Sequence, residues 1–98
     1  MSDFSSTEAL QVQHDLAQQR FIAVVDGHRC VADYRMAGKV MQMVHTAVHP
    51  SLRGRGIAAA LVGTALQYAR EGGLQVDPIC SYVRVYINRH PETRDLLG

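Results

Sequence analysis

The hydrophobic period of this chain changes once, and that change limits what it can fold into. From Arg20 to Val48 the apolar residues follow strand-like patterns broken by short turns. From Ile57 to about Arg70 they recur at helical spacing. Ile57, Leu61, Ala65 and Tyr68 fall on one stripe; Ala58, Val62, Leu66 and Ala69 fall on the next. Ala60, Gly63, Thr64, Gln67 and Glu71 take the far side. Between the two patterns His49-Pro50-Ser51-Leu52 breaks the strand and Arg53-Gly54-Arg55-Gly56 supplies a glycine-rich turn. A helix with so broad an apolar face needs a sheet to cover, which points to a mixed α/β domain.

Val12–His14 predicts a short first strand, Arg20–Val25 a second and Cys30–Met36 a third. Asp26-Gly27 is a hairpin turn signal. Ala37-Gly38-Lys39 turns the chain into a longer fourth strand, Val40–Val48. Gly72-Gly73 ends the helix, and Leu74–Ile79 predicts a fifth strand whose Pro78 marks an edge, bulge or strand end. Ser81 to about Asn88 predicts a second helix with Ser81 as its N-cap, and Pro91–Leu97 a short terminal helix. A strand reached through a crossover helix runs parallel to the one before it. The expected fold is therefore mixed, α+β or α/β: an antiparallel meander, then a β-α-β crossover, with helices covering the sheet. Residues 1–8 read as a flexible tail and 9–98 as a single domain.

Composition narrows the function classes. A chain of 98 residues, 47% hydrophobic, holds one core and no second domain. Ten Lys+Arg against nine Asp+Glu leave a net charge of +1, which argues against a nucleic-acid partner. Lys39 stands alone among arginines, the residue suited to forked contact with phosphate or carboxylate. Cys30 and Cys80 form no CxxC pair and read as reduced thiols of a cytoplasmic protein. No apolar run approaches the ~18–20 residues that span a bilayer, and the start lacks a signal pattern. His45-x-x-x-His49 has no third ligand in sight, so no metal is expected. Oligomeric state carries no decisive signal beyond the exposed edge a first strand would leave.

The glycine-rich turn has the sharpest chemistry. A helix N-terminus offers orphan N–H groups and the positive end of a dipole, so it binds anions. Glycines let the backbone approach a phosphate, and arginines add planar donors. A solvated turn is the plain alternative. No Gly-Lys-Ser/Thr closes the sequence, so it is not a Walker A loop, and Gly56 is followed by Ile57-Ala58-Ala59, so it is not GxGxxG.

Val48-x-Pro50-x-x-Arg53-Gly-Arg-Gly56-Ile-Ala58 between a strand and a helix resembles the acetyl-CoA motif of the GNAT superfamily of N-acetyltransferases, Gln/Arg-x-x-Gly-x-Gly/Ala. Arg53, Gly56 and Ala58 occupy its positions. The segments Gly38–Met41, Val44–Thr46, Pro78–Val83 and Arg89–Glu92 resemble the very small, single-domain, acetyl-CoA-binding members, over about residues 10–97. The resemblance implies a minimal GNAT-like fold with fourth and fifth strands splayed around a thioester. It implies that Thr46, Ala47 and Val48 offer backbone groups to pantetheine and the acetyl carbonyl. It further implies that Arg53, Gly54, Arg55, Gly56, Ile57 and Ala58 hold the pyrophosphate. Larger members carry helices between the first two strands and a final strand pair that shape the acceptor site; this chain lacks them.

Cys80 follows the fifth strand and precedes a helix, where a dipole lowers a thiol's pKa. A thiolate there takes an acetyl group as a nucleophile, and the resemblance implies that role for Cys80; a buried structural cysteine is the alternative. His45, near the end of the fourth strand, is the candidate base. Tyr86, ahead of Tyr82, is the candidate acid toward the CoA thiolate, by likeness to larger members; a core aromatic is the alternative. The expected function is acetyl-CoA-dependent acetylation of an unidentified amine, with a non-catalytic CoA-binding or regulatory module as the competing reading.

Overall fold

The computed structural model describes residues 10–98, and the predicted tail at 1–8 lies outside the described residues. Five strands form one sheet: β1 (Gln13–Asp15), β2 (Arg20–Val25), β3 (His28–Ala37), β4 (Val40–Ala47) and β5 (Gln75–Pro78). They lie side by side in sequence order. The first four pair antiparallel, and β5 runs parallel to β4 as the crossover requires. That crossover is α1 (Ile57–Glu71); α2 (Ser81–Arg89) follows β5. Short 3-10 turns occupy Pro50–Leu52 and Pro91–Leu97. The mixed fold expected from the sequence is the fold found.

Alternation gives the sheet two unlike faces. Phe21, Ala23, Cys30, Ala32, Tyr34, Met41, Met43 and Val76 are buried on one of them. α1 lays Ile57, Leu61, Val62, Ala65, Leu66 and Ala69 against this face, fusing the two predicted stripes into one. Val83, Ile87 and Leu96 close the core. On the other face no described residue is buried; Val24 stands 66% exposed. No helix among the described residues is long and apolar enough to cross a membrane.

Local chemistry sets the ends of the elements. Asp26 and Gly27 both take positive φ, 51° and 78°, the two-residue turn whose twist matches the strands it joins. The N-cap of α2 is Cys80 rather than the predicted Ser81, which becomes the first helical residue. The short terminal helix is a 3-10 helix, clamped by Arg70, whose Nη1 and Nη2 donate to both Asp95 oxygens at 2.8 and 2.9 Å. Tyr34, 3% exposed, is satisfied by His14 Nε2, 2.6 Å from its hydroxyl. His14 also stacks on Phe21 at 4.1 Å. Burial pushes the His14 imidazole below its ordinary value, against a smaller upward pull from Asp15.

One irregularity positions the site. Asp33 pairs with His45, yet the next residue, Tyr34, pairs with Met43, so Val44 is an extra residue in β4. Parallel pairing with β5 stops at Met43 and Pro78. The Cys80 N–H makes one more bond, to the Met43 carbonyl at 2.8 Å. Beyond it β4 continues to Ala47 against β3 alone while the chain leaves β5 for α2. The two strands part there.

Candidate functional site

A cavity of about 540 Å³ opens where β4 runs into α1. Its walls are Thr46, Ala47 and Val48 from the end of β4, then Leu52, Arg53, Gly54 and Gly56. Ile57, Ala58 and Ala59 of α1 and Tyr82 of α2 complete it. Every residue expected to hold the cofactor is among them except Arg55. The Arg55 guanidinium turns away and donates from Nη1 to Asp26 Oδ2 at 2.8 Å, tying the turn to the β2–β3 hairpin. No ion pair among the described residues engages Arg53. Nothing in the sequence tied Leu52, Ala59 or Asp26 to this site, because only the folded chain brings them to the turn.

The turn suits an anion. Gly54 and Gly56 have φ of 81° and 77°, and a Cβ on either would meet nothing within 4 Å. Glycine is thus required for conformation and for approach from the cavity, not to relieve crowding. Gly56 caps α1 without a side-chain hydrogen bond, and no acidic residue sits in the first turn. The first bond of the helix runs from Ala60 N–H to Gly56 O at 3.0 Å, so the preceding N–H groups have no partner along the helix. These residues fit a pyrophosphate.

Cys80 stands at the parting of the strands. Its Sγ lies 3.6 Å from Thr46 Oγ1. Burial pushes the thiol up, but the Thr46 hydroxyl and the N–H groups of Val83, Tyr82 and Thr46 outweigh it and hold the thiol below its ordinary value. Cys30, by contrast, is fully buried in the core.

The three candidate catalytic residues do not converge. The extra residue in β4 turns His45 to the bare face, exposed and in register with Asp33, so Thr46 and not His45 neighbours Cys80. Tyr86 lies in a separate, shallower groove of about 710 Å³ beside His14, Gly63 and Tyr68. Its hydroxyl is 2.9 Å from where a Cβ on Gly63 would stand, and its ring stacks on His90 at 3.9 Å. Tyr82, one helical turn earlier, faces the cavity instead. Burial raises the Tyr82 hydroxyl, with a smaller opposing pull from Arg89. The sequence offered both tyrosines, one turn apart on α2, and no means to tell which would meet the cavity. Among the described residues no cluster of three His, Cys, Asp or Glu side chains could hold a metal ion.

Comparison with known proteins agrees with this geometry. The family described as GCN5-related N-acetyl-transferase matches residues 20–96. Protein NATD1 of Gallus gallus is 34% identical over 85 residues, covering 84% of this chain and 77% of that protein. Protein NATD1 of Homo sapiens is 33% identical, covering 84% and 75%. A GCN5-like protein of Staphylococcus aureus, solved in solution by NMR, shares the fold with a TM-score of 0.72 at 21% identity, over 89% of this chain and 86% of that one. The chain belongs to the GCN5-related N-acetyltransferase family.

Proposed function

We propose that this protein transfers an acetyl group from acetyl-CoA to an amine by way of Cys80. The observation that carries the reading is the position of Cys80: a thiol held below its ordinary pKa, at the strand parting, next to Thr46 of a cavity whose far wall is a helix N-terminus. The N–H groups from Arg53 to Ala58 and the Arg53 side chain bind the pyrophosphate. Backbone groups of Thr46, Ala47 and Val48, free of β5, orient the pantetheine arm and the acetyl carbonyl. Acetyl-CoA supplies the activated thioester. Cys80 Sγ attacks the carbonyl carbon as the thiolate; the new S–C bond forms as the CoA sulfur leaves. Tyr82, whose hydroxyl burial raises, gives that sulfur its proton, a role the sequence assigned to Tyr86. Both cysteines are free, as a cytoplasmic thiol enzyme requires.

A non-catalytic CoA-binding module is the second reading. It is favoured by the short turn, residues 16–19, that joins β1 to β2 with no helix between them. Incubation with acetyl-CoA followed by intact-mass analysis decides between them. Acetyl transfer via Cys80 predicts an acetyl adduct that Cys80→Ala abolishes while CoA binding persists. Tight CoA binding with no adduct in wild-type protein removes the covalent route.

A further inference from the structure

The bare face of the sheet is not uniformly polar. Register sets Gln13, Ile22, Val31 and Ala47 side by side, one row across four strands. Ile22 and Val31 are half-buried, and Val24, on the same face of β2, is 66% exposed. The next row is charged: Asp15, Arg20, Asp33 and His45 follow one another from β1 to β4. Arg20 Nε donates to Asp33 Oδ1 at 2.9 Å and Nη2 to Oδ2 at 3.4 Å, so the two central charges are held in place. Beyond the apolar row Arg29 lies beside Val24. There Gln11, Gln13, Ile22 and Val24 line a dent of about 210 Å³. An apolar middle bordered by charged and polar side chains is the anatomy of a protein interface.

We propose that this face joins two copies of the chain, sheet against sheet, about a twofold axis that runs along the strands between β2 and β3. The proposal is independent of the acetyl-transfer reading. Such an axis reverses each row onto itself. Arg20 of one copy then meets Asp33 of the second copy, and Asp33 meets Arg20, so both central contacts join opposite charges. At the ends of the row His45 offers a ring N–H to Asp15 of the second copy. In the apolar row Ile22 meets Val31, and Gln13 meets Ala47. Arg29 of the second copy crosses Val24, where its methylene stem covers the valine and its guanidinium reaches the dent between the Gln11 and Gln13 side-chain carbonyls. Turning the axis across the strands at the charged row would set Arg20 on Arg20 and Asp33 on Asp33, which like charges oppose. The strands of the two sheets stay aligned, as in packed sheets about 10 Å apart. Six residue pairs join β2 to β3, and the rows cross four strands. The footprint is roughly 20 by 19 Å, at the lower end of stable interfaces, so a Kd of about 10 μM is expected.

Sedimentation equilibrium of the full chain from about 1 to 200 μM tests this. The wild-type mass rises from one chain to two across that range. Val24→Lys, an exposed change that leaves the core untouched, sets an ammonium against Arg29 of the second copy and raises Kd about tenfold or more. Arg20→Asp alone sets carboxylate against carboxylate and does the same. Arg20→Asp combined with Asp33→Arg exchanges the two signs, keeps every central contact opposite in charge, and restores Kd to within about threefold of wild type. Far-UV circular dichroism checks that each variant is folded. Wild-type protein that stays monomeric at the highest concentration overturns the proposal. A dimer that Val24→Lys does not weaken lies on another surface and overturns it too. A folded double exchange that stays as weak as Arg20→Asp alone overturns the twofold pairing of the charged row.

Discussion

Thr46 and His45 are adjacent in sequence and belong to opposite faces of the same strand. Thr46 lines a walled cavity, touches Cys80 and lies among residues suited to an anionic, partly apolar ligand. His45 looks onto an uncovered surface crossed by Arg20 and Asp33. The helix-covered side has walls because α1 and α2 must bury apolar stripes there. On the bare side no helix among the described residues covers the sheet, and β1 joins β2 through a short turn. The first surface is walled and the second is open.

The sharpest way to break this contrast is Tyr82→Phe. If Tyr82 is the proton donor at the cavity, acetyl loading of Cys80 slows about 100-fold or more in single-turnover mass analysis. Tyr86→Phe, in the neighbouring groove, leaves loading at the wild-type rate. The reverse result would move the chemistry out of the cavity.

Gly56→Asp comes next. An aspartate forced to a φ of 77° carries strain of about 1–2 kcal/mol, and its carboxylate sits at the end of the helix that should receive phosphate. CoA affinity by calorimetry is expected to fall roughly 30- to 100-fold. Wild-type affinity in this variant would remove the anion site from the turn.

The two arginines of the turn sharpen the contrast further. Arg53→Ala is expected to weaken CoA binding roughly tenfold, the loss of one charge-assisted contact. Arg55→Ala is expected to cost less than about threefold, since its guanidinium holds an exposed Asp26. Equal losses would mean that Arg55 leaves Asp26 for the ligand.

The smallest effect concerns a histidine on the covered face. Replacing His14 with Ala orphans the buried Tyr34 hydroxyl and should cost about 1–3 kcal/mol in urea unfolding. The folded protein holds His14 below its ordinary 6.5, so the unfolded chain binds the proton first as pH falls. The His14 contribution is therefore complete above pH 6.5 and shrinks as pH drops toward the lowered folded value. Urea midpoints on either side of pH 6.5 should show this slope in wild type and lack it in His14→Ala.

Much of the fold was legible because local rules and tertiary packing agreed. Asp26-Gly27 can make only a tight hairpin, and the stripe from Ile57 to Ala69 can serve only as a covered helix face. Gly54 and Gly56 kept their meaning because ready tolerance of positive φ is a property of glycine itself. The catalytic trio was less legible. The sequence spaces His45 near Cys80 as if β4 alternated without interruption, and one extra residue at Val44 reverses that parity. Tyr82 and Tyr86 lie one turn apart, and only the approach of α1 through Gly63 separates their surroundings.

The sequence by itself determined the order of elements, the parallel fifth strand, the conformation of the phosphate-type turn and the membership of the family, since each depends on residue type and spacing along the chain. Tertiary structure alone decided which side chains share a space: Thr46 with Cys80, Arg55 with Asp26, His14 with Tyr34. Those pairings depend on strand register and on where two helices come to rest, and a single inserted residue in β4 is enough to change which face of the sheet a side chain meets.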